Sequence, residues 1–170
     1  MRKTHTFYAF SLLLGLLVMT SCSSDEEPAP PATSTPVVNT LTIWDGPMIS
    51  FTKEVGSDPS DAANQDRLTD NVWITRGTSG GEIFNARTED DFLKGISPAG
   101  TSWSFGTTAN LSALQFESFR TAVGSPREVV GEDLVLRLIE DDILVDVRFT
   151  SWSQGRQEGG GFSYMRSTPQ

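Results

Sequence analysis

Leu134-Val135-Leu136-Arg137-Leu138, then Glu140-Asp141-Asp142, then Val145-Asp146-Val147-Arg148-Phe149: this stretch decides the fold of a chain of 170 residues. Leu134, Leu136 and Leu138 recur every second residue, and Val145, Val147 and Phe149 alternate with Asp146 and Arg148. Successive side chains of a strand point to opposite faces, so a period of two marks extended chain. Two such runs around an acidic interruption predict a long antiparallel hairpin with one apolar face and one more polar face. Trp152 continues the apolar set, counting by twos with one small irregularity. Gly159-Gly160-Gly161 then supplies a turn into Phe162-Ser163-Tyr164-Met165-Arg166, the expected last strand.

Working upstream, the same pattern recurs in shorter pieces. Leu41-Thr42-Ile43-Trp44 and Met48 to Lys53 flank Asp45-Gly46-Pro47, whose turn chemistry predicts a strand pair or a bend. Asn71 to Arg76 and Glu82 to Asn85 read as a hairpin around Gly77, Gly80 and Gly81, and Thr101 to Phe105 as a further strand between two glycines. Helical signals are few. Thr88-Glu89-Asp90-Asp91 has the shape of a capping box, with Asp91 in place of Glu, ahead of Phe92 and Leu93. Ser60 to Asn64 suits one turn, and Ala109 to Val123 fits either a helix or a strand with a bend. Thr-Ser-Trp-Ser at 101–104 returns at 150–153, but the flanks differ and no repeat is implied. The expected fold is all-β: an antiparallel two-sheet β-sandwich, jelly-roll-like, with one or two short helices.

The first forty residues are of another kind. Arg2 and Lys3 precede an apolar run from Phe7 to Val18, about a dozen residues against the roughly twenty that cross a bilayer. Val18-Met19-Thr20-Ser21-Cys22 follows and resembles the lipobox of bacterial lipoproteins, with Met19 where Leu is commoner. That resemblance implies a signal peptide over 1–21, cleavage before Cys22, and lipid attachment to the Cys22 thiol. Residues 22–40 then form an acidic, Pro-rich tether, with Asp25, Glu26 and Glu27 close to the cysteine, and 41–168 a single domain. Acidic residues beside the cysteine resemble the export signal of surface lipoproteins in Bacteroidota. The expected address is therefore the outer membrane, lipid-anchored and facing the exterior, with the periplasmic face as the alternative.

Asn64-Gln65-Asp66-Arg67-Leu68-Thr69-Asp70-Asn71-Val72-Trp73-Ile74-Thr75-Arg76, with Ser97 to Thr101, Phe105 to Thr108 and Gly160 to Tyr164, resembles an uncharacterised β-rich domain of secreted and surface proteins of Bacteroidota. The resemblance extends over nearly all of 48–168. It implies an extracellular β-domain and brings no catalytic or binding residue with it.

Composition closes several functions. Cleavage before Cys22 removes Arg2 and Lys3 and no acid, which takes the net charge from −9 to −11 and disfavours nucleic acid as a partner. The one histidine, His5, lies in the signal segment, and Cys22 is the one cysteine. The processed chain thus has no residues for Ser-His-Asp or Cys-His catalysis, and none of the usual nitrogen and sulfur ligands of zinc.

Three oxygen- or aromatic-based sites remain open. Asp58, Asp61, Asp66 and Asp70 form an oxygen-rich stretch to weigh as calcium ligands, although the spacing is not that of an EF-hand and such residues also cap turns. Glu140, Asp141, Asp142 and Asp146 are the four candidates from which a carboxylate pair for a polysaccharide hydrolase would be drawn. Trp73, Trp103 and Trp152, with Arg76, are the candidate sugar-stacking set, to be weighed together with Trp44 against core packing, while Arg67 and Arg87 suit hydrogen bonding or ion pairs. The expectation is a non-enzymatic surface module for a glycan or protein ligand, with the hydrolase and a purely structural outer-membrane domain as alternatives.

Overall fold

A computed structural model describes residues 40–155 and 158–170, all within one unit, Val37–Gln170. The expected signal segment, Cys22 and nearly all of the tether lie outside the described residues. The strands are β1 (Thr42–Trp44), β2 (Ile49–Lys53), β3 (Asp66–Arg67), β4 (Trp73–Arg76), β5 (Ile83–Asn85), β6 (Thr101–Phe105), β7 (Asp133–Leu138), β8 (Ile143–Trp152) and β9 (Phe162–Arg166). One short α-helix, α1 (Phe119–Val123), and three 3-10 segments, one of them kinked at Asn110, complete the described elements. The fold is an all-β sandwich of two sheets.

The deciding hairpin is β7–β8, paired from Asp133↔Arg148 to Leu138↔Ile143. Leu134, Leu136, Leu138, Val145, Val147 and Phe149 are all buried. The irregularity before Trp152 is a shift in the β8–β9 register between Phe149 and Ser151, which returns Trp152 to the core side opposite Phe162. The strands β6, β7, β8 and β9 form a meander, and β2 adds beyond β9. Asp45-Gly46-Pro47 makes the bend of the two alternatives. β1 leaves it to run parallel with the start of β8, β2 pairs with β9, and Gly46 N–H donates to the Thr168 carbonyl at 2.8 Å.

β3, β4 and β5 form the smaller sheet, with the predicted hairpin realised as β4–β5. Leu68, Val72, Ile74 and Ile83 from this part of the chain share one core with the larger sheet's apolar residues. At its centre is an aromatic cluster: Trp103 against Phe119 at 5.0 Å between ring centroids, Phe149 against Trp152 at 5.7 Å and against Tyr164 at 5.3 Å. Edge-to-face pairs of this kind add to the burial of the rings themselves.

Two helical expectations divide. Residues 109–123 hold both forms, a 3-10 segment and α1, with Glu117 between them paired to Trp103 across the edge of β6. Ser118 caps α1 by accepting from Thr121 N–H at 3.3 Å. The capping box at 88–91, however, starts no helix. The Glu89 carboxylate is drawn back to Asn85 N–H at 2.8 Å and Ala99 N–H at 2.9 Å, satisfying strand and loop amides in place of a helix terminus.

Candidate functional site

Arg76 ends β4 and is only 2% exposed, yet it has no carboxylate partner among the described residues. Its Nε donates to the Gly81 carbonyl at 3.0 Å, Nη1 to the Gly161 carbonyl at 3.0 Å, and Nη2 to the Ser153 carbonyl at 3.1 Å. The guanidinium lies 3.9 Å from the ring centroid of Trp152, a cation held on an aromatic face. Burial lowers its pKa to about 10. The glycines flagged in the sequence make this arrangement possible: a Cβ on Gly160 would overlap the Gly77 carbonyl, and one on Gly81 would overlap the ring of Phe92.

This corner opens into a recess of about 510 Å³ lined by Arg76, Glu82, Lys94, Arg120, Arg127 and Trp152, among others. That volume lies inside the usual range for small-ligand sites, about 300–1,000 Å³. Glu82 is 2% exposed and is held at 2.6 Å by Arg120, which neutralises it. Lys94 and Arg127 are exposed and have no carboxylate in ion-pair range among the described residues. A chain of net charge −9 thus gathers four cations and one engaged acid around one concavity.

A second buried cation sits close by. Lys53 is 1% exposed, donates to the Ser57 carbonyl at 2.7 Å, and lines an adjoining recess of about 290 Å³ that shares Trp152 and Ser153 with the first. Burial lowers its pKa, the charge of Arg76 lowers it further, and Asp58 partly opposes both.

The sequence candidates scatter. Trp103 is fully buried in the core and presents no face to a sugar, a correction that follows from its position opposite Leu136 on the inner side of β6. Trp152 is nearly buried, and Arg76 already covers a face of it. Trp73 is half-buried, with Arg67 at 4.1 Å and Arg87 at 5.4 Å from its ring, beside a separate recess of about 300 Å³. Trp44 is a core residue.

Asp66 is corrected as well. It is a buried acceptor whose two oxygens are both engaged, Oδ2 by Arg166 and Tyr164 and Oδ1 by Arg166, inside the fold and away from Asp58, Asp61 and Asp70 at the surface. Asp58, Asp61 and Asp70 are exposed, and among the described residues no three acidic, His or Cys side chains converge as a metal-binding group.

The hairpin carboxylates are engaged in structure. Asp141 accepts from Thr69 Oγ1 at 2.8 Å and Asn71 Nδ2 at 2.9 Å, and Asp142 lies 3.4 Å from Arg137. Asp146, on the more polar face of the hairpin, is half-buried and takes Thr108 N–H and Oγ1 at 2.7 Å each, fastening a 3-10 segment over that face. Glu140 and Asp70 line a smaller recess of about 210 Å³.

Glu82, Lys94, Arg120 and Arg127 were not singled out as site residues from the sequence. Glu82 and Lys94 stand in loops, Arg120 in α1 and Arg127 in the 3-10 segment Pro126–Glu128, with no shared spacing to reveal them. Comparison with protein-family models, with curated proteins and with solved structures gives no match.

Proposed function

We propose that the chain is a lipid-anchored cell-surface protein whose β-sandwich is a non-enzymatic binding domain, and that its ligand occupies the recess beside Arg76 and Trp152. The observation that carries this reading is the gathering of four cations, two of them (Lys94 and Arg127) without a carboxylate partner among the described residues, around a ligand-sized concavity in an otherwise acidic chain. Preformed hydrogen bonding supports it: Arg76 is locked by three backbone carbonyls, so the wall it forms is fixed before any ligand arrives. The one carboxylate among the described lining residues, Glu82, is tied to Arg120 and to Gly95 N–H, an arrangement suited to holding a side chain in place and not to a hydrolytic pair.

The anchor part of the reading is supported by the lipobox-like run ending at Cys22. Metabolic labelling with an alkyne fatty acid tests it: the wild-type chain takes up label and sediments with membranes, and Cys22→Ser does neither. Continued labelling of Cys22→Ser ends the lipoprotein reading. For the binding part, the full-length protein in detergent is applied to glycan arrays and to surface extracts. A blank array together with no captured partner ends the binding-domain reading.

A further inference from the structure

We infer that the recess takes a saccharide bearing an isolated anionic group, a carboxylate or sulfate, gripped by Lys94 and Arg127. The inference rests on the binding-domain reading above and adds the class of ligand.

Charge decides the anion. Arg120 is spent on Glu82, and Arg76 on carbonyls and the Trp152 ring, so neither needs a further partner. Lys94 and Arg127 remain, exposed and without a carboxylate among the described residues, on the rim of the same concavity. A guanidinium offers a planar pair of donors to an oxyanion, and an ammonium adds a compact charge.

Global charge decides how many anions. With a net charge of −9 the protein repels a polyanion laid along it, but charges beyond about 8 Å are screened at physiological salt. A single anionic group entering the recess therefore feels the local cations, whereas a phosphate chain would spread its charges over acidic surface.

The rest of the lining decides the saccharide. Phe92, Pro126 and Trp152 supply apolar area, while Ser125, Ser153 and Gln154 supply hydroxyl and amide groups. Apolar patches interleaved with short polar side chains match the C–H faces and hydroxyls of a sugar ring, and a recess of about 510 Å³ leaves room for such a body behind the anionic group.

The test uses the full chain in detergent on an array printed with uronate-bearing, sulfated and uncharged oligosaccharides of matched backbone, followed by titration of the best binder. Charged members should bind, uncharged ones should not, and added salt should weaken binding. Lys94→Gln with Arg127→Gln should lower affinity by about tenfold or more with the unfolding midpoint unchanged, since both side chains are exposed. Equal binding of uncharged glycans, or full affinity in the double variant, overturns the inference while the binding-domain reading stands. Preferential binding of an acidic peptide over every glycan overturns it likewise. A blank array with no captured partner removes both.

Discussion

Arg166 holds Asp66 by two parallel bonds, Nε to Oδ2 at 2.6 Å and Nη2 to Oδ1 at 2.8 Å, and so ties the last strand of the large sheet to the first strand of the small one. Both side chains are more than nine-tenths buried. Burial by itself would lower the pKa of Arg166, but the hydrogen bonds and charge of Asp66 outweigh it and raise the value above that of an ordinary arginine. Removing one member of a buried pair leaves the other charged and unsolvated, at a cost of about 3–5 kcal/mol. Asp66→Asn keeps the shape and removes the charge, so its unfolding free energy should fall by about that amount and its denaturant midpoint with it, while Asp61→Asn, exposed and without a side-chain cap bond, should leave the midpoint in place. Equal behaviour of the two variants would show that the pair does not join the sheets.

The same carboxylate accepts from Tyr164 Oη at 2.7 Å. Burial, then the charge of Asp66 and the bond to it, raise the Tyr164 pKa well above its usual 10.0. Below pH 10 both folded and unfolded chains keep the phenol proton, and the stabilisation is present in full. Above it the unfolded chain ionises while the folded one does not, so stability falls as pH rises toward the folded value. Tyr164→Phe should lose about 1–3 kcal/mol at neutral pH, and its deficit should shrink above pH 10. In the proposed processed form, which begins at Cys22, Tyr164 is the one tyrosine, because Tyr8 precedes the proposed cut. Tyrosinate absorbance of the processed protein should therefore appear only as the protein unfolds, and its appearance in folded protein near pH 10 would contradict the buried contact.

Why these tie points were invisible in the sequence, when the sheets were not, follows from what each depends on. Alternation is local, and the β7–β8 hairpin, the β4–β5 hairpin and the slip before Trp152 are all written within a few residues of one another. Asp66 and Arg166 stand a hundred positions apart, and nothing near Asp66 distinguishes it from its exposed neighbours Asp58 and Asp61. The parallel pairing of β1 with β8 depends on where the C-terminal residues cross Gly46, which is again long-range. Arg76 and Trp152 were legible as residue types suited to binding. Their use on each other, with Lys94 and Arg127 left facing the recess, required the folded chain.

Lys53 carries a charge that the fold accommodates at a cost. Its ammonium is buried, bonded to a single carbonyl and repelled by Arg76, so its folded pKa lies below the usual 10.5. A cation whose folded pKa is depressed destabilises the fold while it is charged, and stability recovers as pH rises through the folded value toward the unfolded one. Lys53→Met fills similar volume without the charge. It should be more stable than wild type by about 1 kcal/mol at neutral pH, with the advantage shrinking in alkaline solution. Thermal unfolding of both proteins across that range measures the difference, and a variant less stable than wild type at neutral pH would mean that the bond to Ser57 outweighs the desolvation.

Gly160 is where the last turn presses on the loop after β4. Its φ is 64°, and a Cβ there would overlap the backbone carbonyl of Gly77, which has no flexible side chain to move aside. Gly131 also has positive φ, 90°, but a Cβ there would meet nothing within 4 Å. Gly131→Ala should therefore cost only the conformational strain, about 1 kcal/mol, whereas Gly160→Ala adds a steric clash and should cost about 2 kcal/mol more. Because the Gly161 carbonyl is an acceptor for Arg76, the Gly160 variant should also loosen the guanidinium from Trp152. Tryptophan fluorescence reads this directly: emission from the folded Gly160→Ala protein should shift relative to wild type, and that of Gly131→Ala should not. Matching spectra and matching midpoints for the two variants would show that the glycine turn does not set the geometry of the recess.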